Sequence, residues 1–90
     1  MTSRAPIILH PSDTVAILPG GAKTGDDPLG LGAPLASAVR AGHKIAREDH
    51  AAGAQILKFG QIIGVATEDI PAGAHVHSHN CVFSAHGQDY

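Results

Sequence analysis

The sequence predicts an all-β fold, a small open barrel or clip of short strands. Short apolar runs rich in β-branched residues recur about every ten residues, with glycine turns between them. No stretch keeps a convincing helical period. Ninety residues suffice for one domain, and its aromatic residues are limited to Phe59, Phe83 and Tyr90. The core must therefore be built from Ile, Val, Leu and Ala.

The first predicted strands lie in residues 6–18. Two apolar runs, residues 7–9 and 15–18, are separated by a segment in which Pro11 and Asp13 indicate a turn. We expect a short strand, a turn and then a better strand. Asp13 is interpreted as a turn residue that hydrogen-bonds its own backbone, in preference to a catalytic acid.

Residues 19–37 predict a long Gly/Pro-rich loop inserted into the domain, because glycine and proline alternate there without any sustained period. Part of it invites comparison with the phosphate-binding loop, but the two required glycine positions hold Ile17 and Ala22, so that motif is absent. Glycine amides beside Lys23 remain a candidate cradle for a carboxylate. The alternative is a solvated or lid-like loop.

The second half of the chain contains a repeat. Residues 46–56 return twenty positions later as residues 66–76, with Ala, Glu, Asp, Ala, Gly and Ala in register. In each copy an acidic residue opens a turn, glycine supplies a positive φ and a β-branched residue resumes a strand. Residues 55–66 predict two strands around Lys58-Phe59-Gly60. The repeated carboxylates are therefore interpreted as turn residues; they are Glu48, Asp49, Glu68 and Asp69.

Charge and composition exclude several classes of protein. Six Lys/Arg and eight Asp/Glu form no run of either sign, which disfavours nucleic-acid binding. No stretch approaches the ~20 apolar residues of a membrane span, and the start lacks the apolar run of a signal peptide. Cys81 is the single cysteine, so it forms no internal disulfide and is expected to be a small buried residue. We expect a cytoplasmic protein.

The segment HVHSHN, residues 75–80, carries the candidate site. A strand would place His75, His77 and His79 on one face, and two imidazoles at H-x-H spacing suit a metal ion. The third would lie ~13 Å along the strand from the first, so one ion cannot take all three unless the strand bends. His43 is then a candidate distant ligand. The alternatives are a carboxylate clamp that includes Asn80, a subunit interface and a solvated strand end.

Three segments resemble the SAF domain of altronate and galactarate dehydratases: VRAGHKIA at 39–46, KFGQIIG at 58–64 and DIPAGAHVHSHN at 69–80. The chain is also similar to the small subunit of sulfolactate sulfo-lyase. The resemblance implies a β-clip fold and a lyase for hydroxylated sugar acids. In that chemistry a proton leaves the carbon α to a carboxylate while hydroxide or sulfite departs from the β carbon, assisted by a divalent metal such as iron.

On this basis residues 1–90 form a single SAF domain, with 19–37 as a loop insertion and 81–90 as a C-terminal tail. The domain is expected to act with a large catalytic subunit on a small hydroxy acid, to be inactive alone, and to be capable of forming a homo-oligomer. The alternative is a non-catalytic sugar-acid binding or assembly module. The expected roles are catalysis by His77 and His79, substrate binding by His43, Lys44 and Asn80, and metal binding by His75 and His77. His50 and His86 are left unassigned and are expected to be exposed.

Overall fold

A computed structural model describes residues 5–83, and it confirms the all-β prediction. Within that range there is no helix that could cross a membrane. The strands form two three-stranded antiparallel sheets, with no closed barrel. In chain order they are β1 (Val15–Leu18), β2 (His43–Ala46), β3 (Gln55–Lys58), β4 (Gln61–Ala66), β5 (His75–Val76) and β6 (Cys81–Phe83).

Two predicted elements differ from the structure. The strand expected at residues 7–9 is reduced to one bridge, in which Ile7 exchanges both backbone hydrogen bonds with Ile17 at 2.8 and 2.9 Å. The chain then turns, and the Asp13 N–H donates to the His10 carbonyl. Residues 81–83, predicted as the beginning of a tail, form β6 instead, and the rest of that tail lies outside the described residues.

The repeat is also a repeat in three dimensions, because its hydrogen bonds are unchanged when each residue is exchanged with the one twenty positions away. His50 and Ile70 bond each other through both backbone groups at 2.7 Å. The Ala72 N–H donates to Asp49 Oδ1 at 2.8 Å, and the Ala52 N–H donates to Asp69 Oδ1 at 2.9 Å. Asp49 and Asp69 therefore brace the turns, as predicted, but each braces the turn of the other copy.

The same exchange relates the two sheets. Their strand orders are β1-β2-β5 and β3-β4-β6, so β2 corresponds to β4, β5 to β3 and β1 to β6. Ile45 lies opposite His75, just as Val65 lies opposite Gln55. The outer strands β1 and β6 obey the exchange although the sequence repeat does not include them. The two halves of the chain thus form the same arrangement of strands and turns, related by an approximate two-fold exchange. We refer to this shared arrangement as the frame.

The Gly/Pro-rich loop breaks this two-fold relation. One core cluster fills the space between the sheets and includes Val15, Ala46, Ile56, Ile63, Ala66, Ile70, Val76 and Cys81. A second cluster lies on the other face of the first sheet, where Leu35 of the loop and Val39 pack against Leu18 and Ile45. The loop holds itself in place there, because Leu35 and Asp26 share a backbone hydrogen bond of 2.8 Å. The first sheet is therefore covered on both faces.

Candidate functional site

The histidine segment is not one continuous strand, so that prediction is wrong. β5 ends at Val76 and residues 77–80 form a turn. The buried Asn80 side chain causes the bend: its Nδ2 donates to the His75 carbonyl at 2.8 Å, and its Oδ1 accepts from the His77 N–H at 3.1 Å. A local side-chain to backbone network of this kind competes with extension of the strand. The bend carries His79 back toward His75.

Four imidazoles consequently form one cluster on the first sheet. The His43 ring centroid lies 5.1 Å from that of His75 and 4.8 Å from that of His77, and His79 lies 5.4 Å from His75. His43 Nδ1 and His75 Nε2 are 3.0 Å apart, so one of these nitrogens donates a hydrogen bond to the other. His75 is half-buried, whereas His77 and His79 are exposed. We refer to these residues as the histidine cluster.

Strand register explains why His43 joins the cluster. Ile45 lies opposite His75, and alternate residues of a strand share a face, so His43 and His75 are diagonal neighbours. Gly42, with φ of 84°, provides the turn that starts β2 at His43. The sequence signals for His43 are its place after the repeat turn and the match of its motif to the family, since thirty-two positions separate it from His75.

Lys44 lies on the opposite face of β2 from His43, outside the histidine cluster. It is 2% exposed, and its Nζ lies 5.3 Å from the Phe83 ring centroid. Burial, followed by the neighbouring charge of Lys58, lowers the pKa of the Lys44 ammonium. The structure therefore does not bring Lys44 together with the other residues that were predicted to bind substrate.

The surroundings of the cluster lower the pKa values of two of its imidazoles, His75 and His77. Burial is the main cause that lowers the pKa of His75 to about 4, and charge repulsion from His43, His79, His77 and Lys44 adds to it. The pKa of His77 is also lowered, first by burial and then by His43. His75 is therefore neutral near pH 7, where it can accept a proton or a hydrogen bond.

A depression of about 400 Å³ opens beside the cluster. His75, His79 and Asn80 line one side, the second acidic turn lines another, and residues 33–37 of the Gly/Pro-rich loop form the remaining wall. Residue-by-residue reasoning missed this contribution of the loop. Gly73 is the residue that allows the loop to pack against the second acidic turn. A Cβ there would lie 2.8 Å from the Ala33 carbonyl oxygen, so only glycine permits such close packing.

The carboxylate cradle considered near Lys23 is used by the protein itself. The Lys23 N–H donates to Asp26 Oδ2 at 2.9 Å, while the Gly21 and Gly25 amides donate to backbone carbonyls. Asp13 also differs from expectation, because its Oδ1 accepts from the distant Gly60 N–H at 2.8 Å. Both carboxylates stabilise the fold through backbone contacts.

A complete metal site does not fit the described residues. Across residues 5–83 no three His, Cys, Asp or Glu side chains are arranged to hold an ion. The His43 and His77 rings are 9° from parallel, so nitrogen lone pairs in the two ring planes do not converge on one point. Any ion at this cluster would therefore need further ligands from outside residues 5–83.

Three further predictions concern Cys81, His50 and His86. Cys81 is buried and free, its Sγ donates to the His77 carbonyl at 3.1 Å, and burial raises the pKa of its thiol. It is thus the buried residue that the sequence predicted. His50, expected to be exposed, is 3% exposed. His86 lies outside the described residues.

Comparison with known proteins identifies the family of this chain. Residues 4–84 match the family model described as the altronate/galactarate dehydratase SAF domain. An Escherichia coli altronate dehydratase is 55% identical over 42 residues, which are 47% of this chain and 8% of that protein. A Paracoccus pantotrophus (2R)-sulfolactate sulfo-lyase subunit alpha is 42% identical over 40 residues, 44% of this chain and 60% of that subunit. The matches thus span less than two thirds of either relative. Because the family model covers nearly the whole sequence, the chain belongs to the altronate/galactarate dehydratase SAF domain family.

Proposed function

We propose that this chain is the SAF domain or small subunit of a lyase that removes water or sulfite from a hydroxylated acid. The observation that carries the proposal is the histidine cluster, in which His75 and His79 line a depression and the His75 ring is hydrogen-bonded to that of His43. Relatives named altronate dehydratase and sulfolactate sulfo-lyase subunit alpha support the same reaction class. We place the enzyme in the cytoplasm.

The roles follow from position within the cluster. His79 lines the depression and is exposed, so it meets the substrate and exchanges a proton there. His75 accepts a hydrogen bond from the substrate, and its contact with His43 fixes which nitrogen is free. His77 stacks on His43 at the exposed side and is the second proton-exchange candidate. Asn80 acts on the substrate indirectly, because both of its amide atoms hold the turn.

A larger catalytic chain completes the site. The depression lies at the surface, and the matched segment is a small part of the altronate dehydratase relative. The sulfo-lyase relative is named as a subunit, which supports the arrangement in separate chains. A divalent metal such as iron would draw most of its ligands from that partner, with His75 and His77 as the two that this chain offers.

Reconstitution tests the proposal. The purified chain, a candidate large subunit and their mixture are each incubated with altronate, galactarate or sulfolactate, and release of a 2-oxo acid is followed. We expect turnover only in the mixture. Turnover by the 90-residue chain alone would contradict the proposal that a large subunit completes the active site. Saturable binding of a sugar acid by the chain, with no turnover in any mixture, would favour a binding module instead.

A further inference from the structure

His50 is a buried polar residue that the proposed function leaves unused. It is 3% exposed, and within residues 5–83 neither of its ring nitrogens has a hydrogen-bond partner. Its two-fold equivalent is Ile70, which is 1% exposed and makes the same pair of backbone bonds. An isoleucine therefore satisfies this position in the fold. Imidazole nitrogens buried without partners destabilise the isolated domain, so the fold does not explain the histidine.

The surroundings of His50 are acidic. A shallow depression of about 480 Å³ is lined by His50 and Ile70 together with Asp49, Asp69 and Pro71. Neither lysine nor arginine lines it. Each aspartate uses one oxygen to brace the opposite turn, at 2.8 and 2.9 Å, which leaves acceptor capacity on both carboxylates. Glu48 and Glu68 precede them, so four of the eight Asp/Glu of the chain lie in these two turns.

The place of this depression indicates what covers it. Asp69 and Pro71 also line the depression beside the histidine cluster, so the two depressions share the second acidic turn. A chain that closes over the candidate active site therefore also meets the second acidic turn, and His50 lies beside that turn through its backbone bonds to Ile70. The side chain it presents must carry positive charge for the carboxylates and an N–H for an imidazole nitrogen.

We propose that the acidic turns and His50 form the docking site for an arginine side chain of the larger catalytic chain. A guanidinium offers five N–H donors in a planar fork, which suits two carboxylates and an imidazole acceptor better than the three donors of an ammonium. The identity of the partner rests on the proposed function. The preference for an arginine side chain rests on the chemistry of the site alone.

The first experiment uses the chain alone, with N-acetyl-argininamide as the probe and its neutral isostere N-acetyl-citrulline amide as the control. In a chain with 15N-labelled histidine, we expect the arginine probe to shift the His50 ring resonances saturably. The shift should disappear in an Asp49→Asn/Asp69→Asn variant. Equal shifts with the citrulline compound, or no shift at His50, would overturn the proposal. The His50→Ile variant copies Ile70 and is expected to fold with a raised unfolding midpoint, which a fall would contradict.

The second experiment measures affinity for the large subunit by calorimetry. We expect His50→Ile and Asp49→Asn/Asp69→Asn each to weaken binding by about tenfold or more. Asp26→Asn, which removes a charge from the Gly/Pro-rich loop, is the matched control and should bind as the wild type does. Lyase activity with unchanged affinity in the variants would exclude this docking site and leave the proposed function standing. A positive arginine titration without any lyase activity in the mixture would support this docking site and contradict the proposed function.

Discussion

The two sheets carry the same frame but different chemistry. Three positions of the first sheet and its following turn hold histidine, and the positions twenty residues away hold residues that do not ionise near neutral pH. The histidines are His43, His75 and His77, and their equivalents are Ile63, Gln55 and Leu57, in the same order. The frame therefore forms without imidazoles at these positions, so the fold alone does not require the three histidines.

The backbone support is duplicated even where the sequence repeat ends. The Leu57 N–H donates to Thr14 Oγ1 at 3.1 Å, and the equivalent His77 N–H donates to Asn80 Oδ1 at the same distance. Asn80 adds one bond that Thr14 lacks, from its Nδ2 to the His75 carbonyl. That additional bond belongs to the half that carries the histidine cluster.

The coverage of the two sheets also differs. Ile45 on the first sheet is 0% exposed, whereas its equivalent Val65 on the second sheet is 41% exposed. The Gly/Pro-rich loop causes the difference, because Leu35 packs beside Ile45 and nothing corresponding covers Val65 among the described residues. Within residues 5–83, the loop thus forms the wall of a depression on the first sheet.

The largest expected effect comes from exchanging residues between the two halves. His75→Gln copies the equivalent Gln55. We expect the activity of the reconstituted enzyme to fall about hundredfold or more, because a positioned imidazole is lost. Circular dichroism should show an unchanged fold. The matched control is Gln55→His, which should retain full activity. Equal losses in the two variants would mean that the halves do not differ in function.

A pair of glycines tests the loop packing. Gly53 and Gly73 occupy the same turn position with φ of 89° and 87°, but a Cβ on Gly73 meets the Ala33 backbone and one on Gly53 meets nothing within 4 Å. We expect Gly53→Ala to lower the free energy of unfolding by about 1 kcal/mol, from the left-handed backbone alone. Gly73→Ala should cost roughly 3 kcal/mol, because the clash is added. Urea denaturation measures the free energy of unfolding of both variants. Equal costs would show that the loop moves to accommodate the added Cβ.

A further expected effect is a pH dependence of stability that arises in the histidine half. Because the pKa of folded His75 is about 4 and the unfolded value is 6.5, the unfolded chain binds more protons between these values. Stability is fully present above pH 6.5 and falls as the pH drops toward 4. Allowing for solvent screening, His75 accounts for no more than about 2 kcal/mol. His75→Gln should flatten the curve of unfolding free energy against pH, and a curve of unchanged slope would contradict the assignment.

The sequence by itself determined the all-β class, the turn chemistry and the repeat, although it did not indicate β6 or the end of β5 at Val76. Alternating apolar residues and positive-φ glycines act locally, so Phe59-Gly60 could be recognised as a hairpin turn and the acidic residues as turn residues. The family resemblance indicated the histidine segment and His43. These features depend on neighbours in the chain, or on motifs that can be read directly.

Only the tertiary structure decided which of these residues meet. The bend at residues 77–80 depends on both amide atoms of Asn80, and the place of His43 beside His75 depends on the pairing of β2 with β5. The pairing of the two acidic turns buried His50 opposite Ile70, which no local pattern indicated. Long-range strand register and packing decide such contacts, because a side chain has no facing residue until the sheets form.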